Sequence, residues 1–509
     1  MMPSDRSQTT RKRNILLIYA DQWRLDQFGA PRSYTPNLDA LAADGVAFAR
    51  HYTQCIPCSP ARASLFTGLY AQTHGVTANR IPLDARHKTI GHYLRRHGYD
   101  PTLFGYTDTS LDPRGLEPGD PLAQPGYRVL PGLSVGCHLP DDRPHDWLAH
   151  LRAKGLDFPD RDDAYRPDLS RPNATGGAGG HPARYAAEDS DTAYLTDRLI
   201  AWQREQEPGW CALLCYLRPH NPTIAPEPYN GLVDPQSLAA PVRSPTPDGE
   251  AAIHPLLATM IAEGEAGEKC IPGMSGRIAD VDEADWRSIR AIHLGLMAEI
   301  DANLGRLFRQ LKELGQWEDT LILFSSDHGE AMFDHYLCNQ AAWTEQCAHV
   351  PLILRDPTSQ ADATRGAVVD RFSGAVDTIP TLLDWLGAEI PHQLDGASLL
   401  PFLHGAQPDA WRDYTTWEYH FGRDVETGGD RIPARDSMMT VYRDAQYKHV
   451  FMPGLPPLLF DMINDAAELR NLAGDPAHAR VERDYLHRQL AHRIRYADGQ
   501  FSPYRQQTR

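Results

Sequence analysis

A cysteine followed at fixed spacing by a proline and an arginine is the feature of this chain with the clearest chemistry. Cys58 precedes Pro60 and Arg62 in the segment 54–68, which reads Gln-Cys-Ile-Pro-Cys-Ser-Pro-Ala-Arg-Ala-Ser-Leu-Phe-Thr-Gly. Pro60 fixes its own φ angle and so shapes the turn after the cysteine. Arg62 carries a permanent charge that can hold an oxyanion. Residues 61–69 favour a helix, whose N-terminus would attract anions toward Cys58.

The same cysteine has two simpler interpretations. Cys55 and Cys58 form a Cys-x-x-Cys pair, which is typical of a redox centre or of half a zinc site. The sequence contains no second pair of this kind. A cysteine is also often only a small buried hydrophobic residue. The short motif alone leaves these alternatives open.

Two apolar segments end in residues that can bind a metal ion. Residues 14–20 and 320–326 are continuous apolar runs, as expected of strands that are buried on both faces of a parallel sheet. The first run ends at Asp21 and the second at Asp327 and His328. Ligands in open α/β sheets bind at the carboxyl ends of such strands. We therefore predict a metal site there, although each aspartate alone is more commonly a turn or helix-cap residue.

Composition limits the class of protein and of partner. The chain has 509 residues, 41% of them hydrophobic and 23% charged, and a net charge of −17. These values are ordinary for a globular protein with a large core. The negative charge argues against nucleic acid or a membrane surface as a partner. The 8 cysteines are scattered, and no apolar run suits a signal peptide or a membrane span. We expect a cytoplasmic protein.

The order of apolar and polar segments predicts an α/β fold. We expect a large mixed, mostly parallel sheet sandwiched by helices in a catalytic domain of residues 1–405. A smaller C-terminal α+β subdomain, residues 406–509, should contain a small antiparallel sheet, a helix and a polar tail. Residues 112–181 are rich in Gly, Pro, Asp and Arg and predict a long irregular insertion over the active-site face. The main predicted strands are 14–20, 101–105, 210–217, 320–326 and 350–354, and the main predicted helices are 191–203 and 285–314.

Sequence landmarks from residue 14 to residue 476 resemble those of one family, in the same order. They include Cys-Ser-Pro-Ala-Arg at 58–62, Thr-Pro-Asn-Leu-Asp at 35–39, Asp-His-Gly at 327–329 and Glu-Leu-Arg-Asn-Leu at 468–472. The chain resembles the type I sulfatases of the alkaline phosphatase superfamily. Asp-Gln at 21–22 and Arg-Pro-His at 218–220 make it most similar to the bacterial phosphonate monoester hydrolases and related arylsulfatases.

The resemblance implies an enzyme that hydrolyses anionic esters. Cys58 would be converted to formylglycine by a formylglycine-generating enzyme. Its hydrate would attack a sulfate monoester, a phosphonate monoester or a phosphate diester, and its second hydroxyl would later release the bound group. One divalent ion would be held by Asp21, Asp327, His328 and residue 58, with Gln22 nearby. Oxygen ligands with one imidazole suit calcium, manganese or magnesium.

The resemblance also assigns the substrate pocket. Arg62, Asn79, Tyr106 and His220 would line it, and His220 would protonate the leaving group. This sequence departs from the family at two positions. Gln340 stands where sulfatases carry a lysine, and Asp108 stands where phosphonate hydrolases carry a threonine. Asp108 would then be the base for the second hydroxyl, or would only cap its turn, and the adjacent Arg80 would restore positive charge.

Two other classes of function remain open from the sequence. One is a phosphatase-like or phosphomutase-like superfamily member that uses unmodified Cys58. The other is a catalytically degenerate binding protein that kept the fold. The resemblance further implies a homo-oligomer, a dimer or a tetramer, in which the polar tail after residue 498 reaches a neighbouring subunit, unless it is a disordered terminus.

Overall fold

The computed structural model describes residues 12–123, 128–267, 271–340, 343–421, 423–427 and 430–497. The strands in chain order are β1 Asn14–Asp21, β2 Val46–Tyr52, β3 Cys55–Ile56, β4 Pro82–Leu83, β5 Pro101–Gly105, β6 Ser110–Leu111, β7 Ser134–His138, β8 Cys211–Pro219, β9 Thr320–Ser326, β10 Leu352–Arg355, β11 Ala367–Gly374, β12 Tyr414–His420, β13 Val425–Thr427, β14 Asp430–Ile432, β15 Met438–Asp444, β16 Tyr447–Phe451 and β17 Leu458–Asp461. The α-helices are α1 Pro36–Ala43, α2 Cys58–Thr67, α3 Ala71–His74, α4 Ile90–Arg96, α5 His145–Ala153, α6 Arg161–Ala164, α7 Asp191–Arg204, α8 Pro247–Ala251, α9 Pro255–Glu263, α10 Glu283–Glu313, α11 Glu345–Ala348, α12 Thr378–Trp385, α13 Leu400–Leu403 and α14 Ala479–Arg495.

A large sheet runs through the molecule in the order β11-β2-β10-β9-β1-β8-β5-β7. Its strands pair in parallel except β10, which runs antiparallel to both β9 and β2. Every residue of β1 is buried, because β1 lies between β8 and β9 and helices cover both faces. This confirms the predicted α/β fold with a mixed, mostly parallel sheet.

Successive side chains of β1 enter two separate hydrophobic cores, since neighbours in a strand point to opposite faces. Leu16 and Ile18 pack with residues of α1, α7 and α10 on one face. Leu17 and Tyr19 pack with residues of α2, α4 and α12 on the other. The sheet is therefore sandwiched by helices, and its strand ends are fixed from both sides.

A second sheet has the order β17-β16-β15-β12-β3. Four of its strands are antiparallel neighbours from the C-terminal part of the chain, but β3 precedes Cys58 and pairs in parallel with β12. The smaller sheet therefore holds the segment that leads into the cysteine. The domain boundary between residues 405 and 406 stays a prediction, and residues 498–509 lie outside the described part of the chain.

Two local predictions differ from the structure. The insertion at 112–181 is not irregular throughout, because it supplies β7 to the large sheet and also contains α5 and α6. The strand predicted at 350–354 is present as β10, and its antiparallel direction agrees with the predicted mixed sheet. The helix predicted at 61–69 begins at Cys58, so the cysteine is its first residue. Within the described residues, no helix is both long enough and apolar enough to cross a membrane.

Gly105 is a position where we expect a substitution to damage the fold. It ends β5 with φ +108°, and a Cβ atom there would lie 1.9 Å from the carbonyl oxygen of Cys215 in β8. Gly105→Ala should lower the free energy of unfolding by about 3 kcal/mol or more. Gly115 is the matched control, since its φ is +94° but no described atom lies within 4 Å of a Cβ there. Denaturant unfolding of both variants tests this, and equal losses would contradict it.

Candidate active site

The ends of β1 and β9 bring two acidic residues together. Ala20 pairs with Ser326 in the parallel register, so the next residues along, Asp21 and Asp327, emerge side by side. Ligand atoms of Asp21, Cys58, Asp327 and His328 all lie within 4.8 Å of one another, and all four residues are buried. The structure thus joins residues that are 306 positions apart in the sequence.

His328 presents a lone pair to this cluster. Its Nδ1 lies 2.9 Å from the carbonyl oxygen of Gly329, so Nδ1 carries the proton and donates to it. In the neutral ring Nε2 then carries the lone pair, and it lies 3.0 Å from Sγ of Cys58. A backbone hydrogen bond that fixes the ring in this way is typical of metal-binding histidines.

Arg62 lies behind the two carboxylates. Because Arg62 follows Cys58 by four residues on α2, it occupies the same helix face one turn later. Its Nε donates to Asp327 at 2.8 Å, its Nη2 to Asp21 at 2.9 Å and its Nη1 to the carbonyl oxygen of Tyr106 at 2.9 Å. The guanidinium is buried and does not line the substrate cavity. In this structure Arg62 holds the predicted metal ligands. Its predicted contact with the substrate anion stays a prediction.

The charges of this cluster perturb each other. Burial and the neighbouring Asp327 raise the pKa of Asp21. Burial alone would raise the pKa of Asp327, but His328 and Arg62 lower it below its ordinary value. Burial and the carboxylates of Asp21 and Asp327 also raise the pKa of the Cys58 thiol. Two carboxylates and one imidazole nitrogen, arranged around one point, form a donor set that fits a hard divalent cation.

Gln22 supports this donor set from one side. Its backbone N–H donates to Oδ1 of Asp327 at 3.1 Å, and its side-chain amide donates to Glu330. Its φ is +64°, an unusual conformation that turns the chain immediately after the strand. Glu330 accepts hydrogen bonds from the backbone N–H groups of Met332 and Asn339 as well. Sequence reasoning did not identify Glu330, which organises the loop after His328.

A cavity of about 320 Å³ opens beside Cys58. Six predicted site residues line it. These are Cys58, Asn79, Tyr106, Asp108, His220 and Gln340. Four further lining residues were not identified from the sequence, namely Asp141, Arg161, Asn221 and Asn339. Cys58 belongs to both the ligand cluster and the cavity wall, so the two parts form one site.

Asp108 points into this cavity. Its φ is +47°, and its carboxylate accepts a hydrogen bond of 2.6 Å from Oγ of Ser59, the residue after the cysteine. Burial raises the pKa of Asp108 to about 7, and the carboxylates of Asp21 and Asp327 add to the increase.

His220 is held by the loop that follows β8. Its Nδ1 lies 2.8 Å from the carbonyl oxygen of Asn221, so Nδ1 carries a proton and donates there. Arg218 donates from Nη1 to the carbonyl oxygens of His220 and Pro222, at 2.8 and 2.7 Å. A buried guanidinium therefore sets the position of this loop.

Gln340 lies close to Cys58 in the cavity wall, whereas Arg80 is not among the lining residues. Nε2 of Gln340 lies 3.8 Å from Sγ of Cys58 and 3.4 Å from Oε1 of Gln22, so a neutral amide occupies the place predicted from the missing lysine. The side chain of Arg80 is exposed and is not among the residues that line the cavity. Its predicted role in substrate binding stays a prediction.

Comparison with known proteins decides the family. A family model described as "Sulfatase" matches residues 13–388, about three quarters of the chain. The chain belongs to the sulfatase family. A second family model, "N-sulphoglucosamine sulphohydrolase, C-terminal", matches residues 333–495 of this sulfatase.

Three relatives indicate which enzymes of the sulfatase family this chain is similar to. A "Multifunctional alkaline phosphatase superfamily protein PehA" from Trinickia caryophylli is 40% identical, over 97% of this chain and 98% of the relative. An arylsulfatase from Clostridium perfringens is 25% identical, over 96% of each chain. The crystal structure of a phosphonate monoester hydrolase from Agrobacterium radiobacter superposes with a TM-score of 0.88 at 41% identity, over 95% of this chain and 96% of that chain. The predicted resemblance is confirmed, and this sulfatase is a hydrolase of sulfate or phosphonate esters.

Proposed function

We propose that this sulfatase is a formylglycine- and metal-dependent hydrolase of sulfate monoesters, phosphonate monoesters and phosphate diesters, with covalent catalysis at residue 58. The observation that carries the proposal is the position of Cys58. It starts α2, lies among three buried metal-type ligands and faces the cavity. The description of its 40% identical relative as multifunctional supports a proposal of more than one activity.

Asp21, Asp327, His328 and residue 58 would hold the ion. A divalent ion bound there supplies positive charge against the anionic ester and acidifies a hydroxyl beside it. A formylglycine hydrate at residue 58 supplies one hydroxyl as nucleophile and a second that permits release of the product. Arg62 and the backbone N–H groups around Asp327 hold the two carboxylates in place. The charged groups of the site are therefore in position before substrate binds.

The cavity residues would orient the ester. The Oδ1 of Asn79 accepts from the backbone N–H of Ser59 at 3.0 Å, which directs its amide nitrogen away from the helix start. The hydroxyl of Tyr106 donates to Asp21 and its ring lies 4.2 Å from the Arg62 guanidinium, so it forms a rigid wall. With Gln340 neutral and Asp108 acidic, this site has less positive charge than the family pattern implies.

A leaving-group series tests the role of His220. If Nε2 gives a proton to the departing oxygen, His220→Ala should slow alkyl or unsubstituted phenyl esters about a hundredfold. Nitrophenyl esters should lose less than about tenfold, because their leaving oxygen is stable without a proton. The measurement is kcat/KM across the series. Equal losses for good and poor leaving groups would mean that His220 only packs in its loop.

The pH dependence of turnover tests Asp108. As a base, Asp108 acts only when ionised, so turnover should rise as the pH passes about 7, the raised pKa of the buried carboxyl. The groups that face it are Ser59, Arg62, Asp21 and Asp327. Asp108→Asn should bind substrate at least as well, lose this rising limb and show a burst of released alcohol before slow turnover. A normal steady-state rate without a burst would leave Asp108 as a structural residue.

The assay for the proposed function uses the purified protein with phenyl sulfate, phenyl phenylphosphonate and a phosphate diester. We expect turnover of at least one class, and loss of that turnover after chelation with recovery on adding calcium, manganese or magnesium. Turnover that resists chelation would contradict the metal requirement. Full activity with unconverted Cys58 would favour a phosphatase-like enzyme with a plain thiol.

We also propose two protein partners. A formylglycine-generating enzyme would convert Cys58 before the chain is fully folded, because the residue is buried in the finished structure. A homo-oligomer, a dimer or a tetramer, is proposed from the family resemblance. Expression with and without the converting enzyme, and the mass of the protein in solution, test these two proposals separately.

A further inference from the structure

Among the described residues that line the active-site cavity, Arg161 carries the only permanent positive charge. Arg62 lies behind the cavity wall and is committed to Asp21 and Asp327. Gln340 is neutral. Arg161 is therefore the group in this wall that could bind a second negative charge on a substrate, in competition with the carboxylate of Asp141, which lines the same cavity. Elsewhere the net charge of −17 on the protein would repel that second negative charge.

Arg161 is fixed on the side of the cavity where the proposed function puts the leaving group. Its guanidinium lies 5.3 Å from the ring of Tyr165, and that ring also lies 4.2 Å from the guanidinium of Arg218. Arg218 in turn donates to the carbonyl oxygen of His220. Nη2 of Arg161 lies 3.4 Å from the carbonyl oxygen of Asn221, the residue after His220. Arg161 and His220 are therefore held in one packed unit.

The guanidinium keeps donors for a ligand. Its Nη2 forms an ion pair with Asp141, and its Nη1 lies 3.4 Å from the carboxylate of Asp162. Its Nε has no hydrogen-bond partner among the described residues but is buried, so a ligand would contact it only after a shift of the side chain. Only 17% of the Arg161 side chain is exposed, so a contact made there is partly shielded from water. An arginine has five N–H groups, more than these partners use.

We infer that Arg161 selects esters whose leaving group carries an anionic substituent, such as a carboxylate. This inference rests on the proposed function, because His220 defines the leaving-group side. The substrate class is then a sulfate or phosphonate ester of a carboxylated alcohol or phenol. Asp141 holds the guanidinium in place when the cavity contains no such ligand.

Equilibrium binding to the Cys58→Ala protein tests this inference without turnover. The probes are the sulfate esters of 4-hydroxyphenylacetate and of its amide, since the methylene group separates the substituent from the ester oxygen. We expect the acid ester to bind about tenfold tighter than the amide ester. In Cys58→Ala/Arg161→Gln the two esters should bind equally, and Arg161→Lys should restore part of the preference.

Arg166→Gln in the same background is the matched control. Arg166 follows on the same segment but is 66% exposed and does not line the cavity, so the tenfold preference should remain. Equal binding of both esters to the Cys58→Ala protein would overturn the inference, as would a preference that survives Arg161→Gln. Thermal unfolding of each variant identifies loss of fold. A failure here is distinct from absent hydrolysis by the parent enzyme, which would refute the proposed function.

Discussion

Cys58→Ala is expected to reduce turnover of every ester at least about a thousandfold while the protein stays folded. Alanine at the first position of α2 keeps the backbone and the side-chain volume close to those of cysteine, but it supplies neither a nucleophile nor a metal ligand. The contacts of Arg62 with Asp21 and Asp327 do not involve the thiol, so the cluster behind residue 58 should persist.

Cys55→Ala is the control for this prediction. Cys55 is also buried, and the hydrogen bond found for its Sγ among the described residues is a 4.0 Å contact with the carbonyl oxygen of Ile56. If Cys55 and Cys58 worked as a redox pair, both variants would lose activity together. We expect Cys55→Ala to keep most of the turnover, and circular dichroism of both variants to match the parent.

Asp327→Asn should lower metal content and turnover together. The change removes one of two negative charges and one proposed oxygen ligand, and it leaves Arg62 with a single carboxylate partner. We expect turnover to fall about a hundredfold or more at ordinary metal concentrations, with partial recovery in excess metal, because a neutral amide oxygen still coordinates weakly. Elemental analysis of the purified variant and steady-state kinetics on the same sample measure both effects.

Asp370→Asn is the control for a lost negative charge, because Asp370 is 65% exposed and pairs with Arg50 on the surface. It should change neither metal content nor turnover. If Asp327→Asn kept its metal and lost activity, the carboxylate would act in catalysis rather than in binding. If it kept both, the metal site would lie elsewhere.

The strand-end residues were predictable because two rules coincide. A continuous apolar run indicates a buried parallel strand, and ligands collect where such strands end. Asp21 and Asp327 satisfy both rules, and the register between β1 and β9 places them side by side. The placement of Arg62 was not predicted in this way, because the helix was expected to begin at residue 61. In the structure α2 begins at Cys58, so Arg62 lies one turn later on the same face.

Other parts of the protein had no sequence pattern from which their position could be predicted. Asp141 and Arg161 come from an insertion without clear periodicity, and their pairing depends on tertiary contacts with Tyr165 and the His220 loop. The antiparallel direction of β10 could not be predicted either, because a short apolar run does not indicate the direction of its strand. In both cases the arrangement depends on long-range packing, which the local sequence does not indicate.

The mass of the tryptic peptide of residues 51–62, taken from a preparation with measured activity, tests the central claim most directly. The peptide contains both Cys55 and Cys58. After alkylation of thiols we predict one alkylated cysteine, at position 55, and an aldehyde or its hydrate at position 58, with the converted fraction rising in proportion to specific activity. Fully active protein that carries two alkylated cysteines in this peptide would contradict the account.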